Sequence, residues 1–263
     1  MSYLYETHLH TSLSSACGSS KGSEYIKGYI DLGYSGIFVT DHFFNGNTAI
    51  SRRLPWKEWV HRFYQSYEEA RNEGERQGLD VFFGWEESFE DGNDYLVYGL
   101  DKEWLLENPQ ARSWSRSAQY REVKFAGGCV VQAHPFRQHS YIRQIILTGC
   151  VDAVEAGNAA NFDQSYDALA LRYAKKMKLP YTAGSDIHGV NQLYEGKMFG
   201  VYLKDKIKTA ADFVNAVCNG GIADIKVSEG RCEYQGNERP FLPVDIRGKN
   251  DEKIGRSLDF MWR

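Results

Sequence analysis

Cysteine is present in this chain but never arranged in pairs: there is no CxxC, and the five residues Cys17, Cys129, Cys150, Cys218 and Cys232 are odd in number and far apart. That pattern excludes a disulfide framework and a thiolate zinc cage, so they read as reduced thiols, mostly core filler. No apolar run approaches the roughly 18 residues that a membrane span needs, and the first residues lack the basic and apolar regions of a secretory leader. A cytoplasmic protein without a membrane partner is expected. There is no excess of positive charge either: the formal net charge is -4, with acidic and basic residues mixed along the chain. No electrostatic footprint for nucleic acid or anionic lipid results, which makes nucleic acid an unlikely partner and a small-molecule substrate the expectation. Low-complexity tracts, internal repeats and Pro/Gly/Ser linkers are absent as well, so residues 1–263 are expected to form one domain.

What is there is a chain that can bury a large core, 42% hydrophobic over 263 residues. Short apolar runs with β-branched or aromatic character recur at Gly36–Thr40, Val81–Phe83, Tyr95–Tyr98, Cys129–Gln132, Val151–Val154 and Tyr181–Ala183. These are candidate buried parallel strands. Between them, Trp56, Val60, Phe63, Tyr64, Tyr67 and Ala70 repeat at helical steps, as do Leu169, Leu171, Tyr173, Ala174 and Met177. Ser23 and Thr209 are placed as helix N-caps. The alternation of strand and helix predicts an α/β fold with a parallel sheet closed into a barrel. Residues 222–263 carry turn signals without helical period and read as short strands, a β extension at the edge.

Five of the seven histidines, His8, His10, His42, His134 and His188, lie at or just beyond the C-terminal end of a predicted strand, together with Asp41, Glu86 and Asp186. In an α/β barrel those ends converge on one face, where sites are built. His8-Leu9-His10 puts both imidazoles on one side of an extended strand. In Thr40-Asp41-His42 the histidine is the ligand and Asp41 its support. In Gly84-Trp85-Glu86-Glu87 the register selects Glu86. Ala133-His134-Pro135-Phe136-Arg137 offers an imidazole followed by an arginine that can pair with an anionic substrate, the alternative being an ordinary surface arginine. Gly184-Ser185-Asp186-Ile187-His188-Gly189 supplies a hard oxygen and an imidazole nitrogen at strand spacing.

Taken in order, HLHT, TDH, GWE, AHPFR and GSDIHG resemble the PHP family, named for the polymerase and histidinol-phosphatase domains that share it. The motifs run from His8 to Gly189, about two thirds of the chain. The resemblance implies a distorted (β/α)7 TIM-like barrel, a cluster of divalent ions and phosphoester hydrolysis, with metal ligands at His8, His10, His42, Glu86, His134, Asp186 and His188. Family members with three ions carry further ligands where this chain has Ser15 and Leu96. One or two ions are therefore implied, and three only where Asp94 or Cys17 substitutes. Glu155-Ala156-Gly157-Asn158 resembles another family element and places Asn158 toward the site.

The expected chemistry is attack on a small phosphorylated substrate by water that zinc, manganese or iron activates. Asp186 anchors the metal, His134 or His188 protonates the leaving group, and Arg137 pairs with the phosphate. The stretch from Arg112 to Arg121 reads as a solvated connection or a substrate-facing loop. The same activated water can attack an amide or a phosphodiester, and a degenerate metal-binding regulatory module is the non-enzymatic alternative.

Overall fold

The computed structural model describes residues 2–196 and 198–255, so the end of the C-terminal extension, 256–263, lies outside the described residues. The β-branched and aromatic runs form β1 (Tyr3–Glu6), β2 (Gly36–Val39), β3 (Asp80–Ser88), β4 (Asp94–Tyr98), β5 (Cys129–Gln132), β6 (Ile145–Thr148), β7 (Ala153–Asn158), β8 (Tyr181–Gly184), β9 (Gly200–Leu203), β10 (Ile222–Lys226), β11 (Val244–Arg247) and β12 (Lys253–Gly255). Helices α1 (Gly22–Asp31), α2 (Trp56–Gln77), α3 (Lys102–Glu107), α4 (Arg116–Phe125), α5 (Gln164–Met177) and α6 (Ala210–Cys218) fill most of the connections. The periodic face of α2 buries Trp59, Val60, Phe63 and Ala70, and α5 buries Leu169, Tyr173 and Ala174 while Met177 at its end is exposed. Thr209 caps α6 by accepting the Asp212 N–H. Ser23 does not cap α1; it lies inside the first turn and binds Glu69 on α2.

A nine-stranded sheet runs in the order β10-β9-β1-β2-β3-β4-β5-β7-β8. Its closure lies beyond the named strands. Leu9, after β1, bridges Ile187, after β8, with the His10 N–H donating to the Ile187 carbonyl at 2.9 Å. The ring is therefore shut by the two histidine-bearing segments, HLHT and GSDIHG. At its other end β1 pairs with β9 instead, which carries β10 as an antiparallel flap. The result is the barrel that the strand–helix pattern predicts, with the distorted TIM-like form that the family resemblance implies.

The run Tyr95–Tyr98 is not a parallel strand as the sequence suggests. β4 runs antiparallel to both neighbours, because the link over 89–93 is a hairpin turn and a parallel crossover needs a dozen or more residues. β6 also leaves the barrel, pairing parallel with β11 in a separate three-stranded sheet completed by β12.

Tyr5, Phe38, Phe82, Leu96, Val131 and Ala153, one from each of six ring strands, form a single buried cluster with Phe213 and Val217 of α6. This apolar layer fills the lower part of the ring, with α6 packed against it. Continuing upward at the two-residue period of a strand, Phe38 leads to Thr40 and His42, Phe82 to Gly84 and Glu86, and Leu96 back to Asp94. The apolar layer thus supports a polar one.

Arg116 corrects the reading of the Arg112–Arg121 stretch. Its side chain is buried at the start of α4, where it binds Asp91 in the β3–β4 turn and Asp251 at 2.9 Å in the β11–β12 turn, under the rings of Phe89 and Tyr95. One cation ties three segments together. Removing it leaves the Asp91 carboxylate without its cation and Asp251 with Arg247 alone, so Arg116→Ala should lower unfolding free energy by about 3 kcal/mol. Urea denaturation reads this directly, and a loss under about 1 kcal/mol would place the ion pairs among weak surface contacts.

Candidate metal centre

Glu86 lies in the middle of the polar layer. Its Oε1 is 3.3 Å from His8 Nε2 and 3.2 Å from His134 Nε2, and its Oε2 is 2.8 Å from His42 Nδ1 and 3.5 Å from His10 Nε2. Asp186 faces the same group, its Oδ1 3.2 Å from His10 Nε2 and 3.5 Å from His8 Nε2. His188 closes the far side, its ring stacked 4.5 Å from that of His10. All seven residues predicted as ligands therefore meet in one place, and apart from His42 and His188 they are buried. Glu86 sits inside β3 rather than past its end, because the β3–β4 hairpin extends the strand through Ser88.

The hydrogen bonds fix which nitrogen each imidazole offers. His8 Nδ1 is 3.0 Å from Glu155 Oε1, an acceptor only, so Nδ1 carries a proton and Nε2 is the nitrogen left for the site. His188 Nδ1 donates to the Asp186 carbonyl at 2.8 Å, with the same consequence. For His10 the partner is Ser15. That hydroxyl donates to Asp41 Oδ1 at 2.6 Å, accepts the His42 N–H at 3.0 Å and so accepts from His10 Nδ1 at 3.2 Å. Ser15 is no metal ligand but holds one in orientation. Asp41 supports the site through Ser15 and the Thr11 N–H and hydroxyl, rather than through the His42 ring.

Two buried carboxylates that the sequence reading did not single out shape the backbone. Glu155 Oε2 accepts the His134 N–H at 3.0 Å and the Asn158 side-chain amide at 2.9 Å, while its Oε1 holds His8. Glu6 accepts the N–H groups of Thr7, His8 and Ser185 at 2.8–2.9 Å and the Tyr29 hydroxyl at 3.0 Å. It pins β1 and β8 where each leaves regular pairing, which turns His8 inward although Tyr5 already faces in. Gly184 makes room: a Cβ there would lie 2.5 Å from His8 Cβ and 2.7 Å from Glu155 Oε1. His134 and Asp186 adopt positive φ, 27° and 52°, a conformation costing of order 1–3 kcal/mol each that the surrounding contacts must offset.

Arg137 is not a surface arginine. Its Nη2 binds Asp186 Oδ2 at 2.7 Å and Asn158 Oδ1 at 2.8 Å, and its Nε binds Asn161 Oδ1 at 2.9 Å. It fixes Asp186 so that Oδ1 faces the imidazoles. Asn158 faces the site as the sequence resemblance suggests. Leu96 is fully buried in the apolar layer, whereas Asp94, on the same side of β4, reaches to 3.9 Å from His134 Nε2.

The charges are mutually compensating. Burial pushes the Glu86 carboxyl up, but His42 and His8 hold it well below the usual carboxylate range. Burial likewise opposes ionisation of Asp186, and His8 and Arg137 overcome it. Conversely, burial works against charge on His8, which Asp186, Glu155 and Glu86 raise well above the usual value. For His42 burial is overcome in the same direction by Glu86 and Cys17. Burial and Glu86 push Asp94 up to about 6. Burial also lifts the Cys17 thiol, yet His188 and His42 bring it down to about 6.

These donors fit divalent ions. Donor atoms of His8, His10 and Glu86, of His8, His134 and Asp186, of Glu86, Asp94 and His134, and of His10, His42 and His188 each lie within 4.8 Å of one another. Among the described residues, Glu86 Oε2 and His42 Nδ1 are buried with no hydrogen-bond partner apart from the 2.8 Å approach between them that an intervening ion would replace. The oxygen-and-imidazole set suits zinc, manganese or iron.

Glu155→Gln exchanges an acceptor for a donor beside three N–H groups, and metal affinity should fall about 10- to 100-fold with the fold retained. Competition with a chromophoric chelator measures this, and unchanged affinity would remove Glu155 from the support of His8. Because the carboxylates around His8 and His42 raise their pKa above the ordinary imidazole value, ion uptake must expel protons, and affinity should rise as pH rises above that value. Calorimetry in two buffers of different ionisation enthalpy reads the release; buffer-independent heats would exclude His8 and His42 as ligands.

No family model and no curated protein matches the chain in sequence. Solved structures match it in fold. A two-domain protein from Bacteroides vulgatus containing a predicted PHP-like metal-dependent phosphoesterase superposes with a TM-score of 0.62 at 16% identity, over 87% of this chain and 66% of that one. PsfC from Pseudomonas syringae gives 0.59 at 17% identity, over 88% and 93%. Endonuclease Q, in complex with a 27-mer duplex carrying an abasic lesion at the active site, gives 0.54 at 11% identity, over 86% and 58%. The last corrects the expectation that nucleic acid is an unlikely partner. Net charge is a property of the whole surface, whereas a metal cluster attracts a phosphate locally, so a mildly acidic chain is no argument against a nucleic-acid substrate. The fold of this chain is that of the PHP-like metal-dependent phosphoesterases.

Proposed function

We propose that the chain is a metal-dependent hydrolase of phosphoesters. The observation that carries this reading is the convergence of His8, His10, Glu86 and Asp186 on one point, with the His8 and His10 Nδ1 atoms already committed elsewhere. Ions bound there supply Lewis acidity toward phosphate oxygens and lower the pKa of a bound water toward neutrality. The chain's own groups do the positioning. Glu155 and Ser15 keep the lone pairs of His8 and His10 aimed inward, and Arg137 keeps Asp186 in place. Arg137 still has hydrogens on Nη1, the contact we assign to the substrate phosphate. We assign His134 and His188 as ligands rather than proton donors, since His188 spends its Nδ1 hydrogen on a carbonyl and His134 Nε2 is turned to Glu86. The walls keep a pocket of about 510 Å³ in front of the cluster, lined in part by Cys17, Asn45, Asn47 and Tyr141. A small phosphorylated molecule fits this space, and we take it as the first reading of the substrate.

A phosphodiester in a nucleic-acid strand is the second reading. A neighbouring cavity of about 1050 Å³ shares Asn45, Ser88, Phe89 and Glu90 with the pocket and adds Arg112, Arg143 and Trp114. A strand passing the cluster would have cations and an aromatic ring beside it.

Phosphate release from a panel of phosphorylated metabolites, and cleavage of single- and double-stranded oligonucleotides, should be measured on chain stripped and reloaded with manganese, zinc or ferrous iron. One class should be hydrolysed in a metal-dependent way, and Asp186→Ala should lower the rate at least about 100-fold, since it removes a ligand and not only the support of one. Equal rates in the pure variant would sink the assignment.

A further inference from the structure

We propose that Arg231, in the C-terminal extension, is a positioning residue for the metal centre, acting on Asp186 through Asp167, Asn161, Asn158 and Arg137. This rests on the metal-centre reading above and goes beyond it by giving the extension a part in the site.

The extension reaches the barrel as a turn laid along β7. The register of β7 on β8 shifts between Glu155 and Gly157, and Gly157 makes room for the turn there, since a Cβ would lie 2.6 Å from Val227 Cγ1. The Arg231 N–H donates to the Ser228 carbonyl at 3.0 Å and the Cys232 thiol to the Ala156 carbonyl at 3.5 Å, which fixes the turn on either side of the arginine side chain. The guanidinium lies over the Phe199 ring, with Nε 2.7 Å from Asp167 Oδ2 in an ion pair whose two side chains are 10% and 1% exposed. Its Nη2 donates to the carbonyls of Asn158 at 2.9 Å and Asn161 at 3.1 Å. A planar guanidinium spans a carboxylate and two carbonyls at once, as the compact charge of a lysine does not.

The next links lead to the metal ligand. Asp167, in the first turn of α5, accepts the Asn158 N–H at 3.1 Å and the Asn161 side-chain amide at 2.7 Å, both on Oδ1. The second bond turns the Asn161 amide so that its oxygen, not its NH2, meets Arg137 Nε at 2.9 Å. Arg137 Nη2 then donates to Asn158 Oδ1 at 2.8 Å and to Asp186 Oδ2 at 2.7 Å, which leaves Asp186 Oδ1 facing His10. Cation, carboxylate, amide, cation and carboxylate follow one another, so each group orients the next. Burial pushes the Asp167 carboxyl up to about 6, and Arg231 is the group that most opposes this, keeping an acceptor under Asn161. Without Arg231 the Asn161 amide loses the anchored partner that sets its orientation, and Arg137 loses part of what aims Asp186.

Manganese affinity of the full chain, read by competition with a chromophoric chelator, tests this without any turnover, and urea denaturation of each metal-free variant shows that it is folded. Arg231→Met should bind manganese about 10-fold more weakly, and Arg231→Lys, which keeps a cation opposite Asp167, should recover most of the loss. Lys253→Ala, which removes a different ion pair of the extension, should bind as the unaltered chain does. Asn161→Ala alone should lose about as much as Arg231→Met, and adding Arg231→Met to it should cost less than about 2-fold further, because both act along one path. Unchanged affinity in a folded Arg231→Met chain would overturn the proposal, and so would losses that multiply in the double variant. Unchanged affinity in Asn161→Ala would overturn it even where Arg231→Met does not fold. A chain that binds manganese with the expected pattern and hydrolyses nothing would overturn the phosphoesterase reading alone, and an unaltered chain that binds no manganese would overturn both.

Discussion

The contacts of the Glu86 carboxylate are the constraint on which the rest of the structure depends. One buried side chain approaches four imidazoles from three different segments, and the desolvation of that charge is tolerable only while they surround it. The same requirement explains where the ring closes. The segments that bridge at Leu9 and Ile187 are those that bring His8, His10, Asp186 and His188 to Glu86, so barrel closure and site assembly are one event. A chain that closed elsewhere would leave a carboxylate buried without its partners.

Regular strands alone do not deliver this geometry, and the departures from regularity are each held by a buried carboxylate. Glu6 gathers three backbone N–H groups where β1 and β8 leave their ladders, and Glu155 takes the N–H of His134, whose φ of 27° no ordinary pairing would favour. Backbone strain at His134 and Asp186 is the counterpart of placing ligands from a β-strand at a spacing that the strand period does not provide. Arg137 plays the corresponding part for Asp186, with Asn158 and Asn161 holding the guanidinium in turn.

What the sequence makes legible follows from this division. His42 and Glu86 continue the inward alternation begun by Phe38 and Phe82, so pattern and register place them, as they place the apolar layer beneath. The convergence of the histidine motifs is legible because five of seven histidines stand at strand ends. Glu6 and Glu155 are not, since nothing in Tyr5-Glu6-Thr7 or Val154-Glu155-Ala156 separates a carboxylate that organises backbone from one at the surface; only the unpaired N–H groups around it make the distinction. The antiparallel direction of β4 was readable from the short turn over 89–93, a length signal outweighed by the strength of the apolar run. Arg116 was misread for the reverse reason: its partners Asp91 and Asp251 lie far away along the chain, and local composition around it is polar.

Charge is where whole-chain reasoning fails most clearly. The surface balance of -4 spreads over the molecule and is screened beyond about 10 Å in ordinary salt. At the centre, Glu86, Asp94 and Asp186 bring three negative charges against Arg137, and two divalent ions would bring four positive ones into a pocket walled by protein, where low dielectric strengthens their field. The loaded site would then offset its own carboxylates and present the ions to an incoming anion in a chain that is anionic overall. A phosphate is drawn to it whether it belongs to a metabolite or to a strand, and the walls around the cluster, not the ions, must choose between them. The arginines and Trp114 of the adjoining cavity stand where a longer substrate would pass, and Arg116 beside them is withdrawn from that task by Asp91 and Asp251. We take Arg112, Arg143 and Trp114, outside the barrel strands, as the residues that would choose between these substrates, while the barrel sets the chemistry.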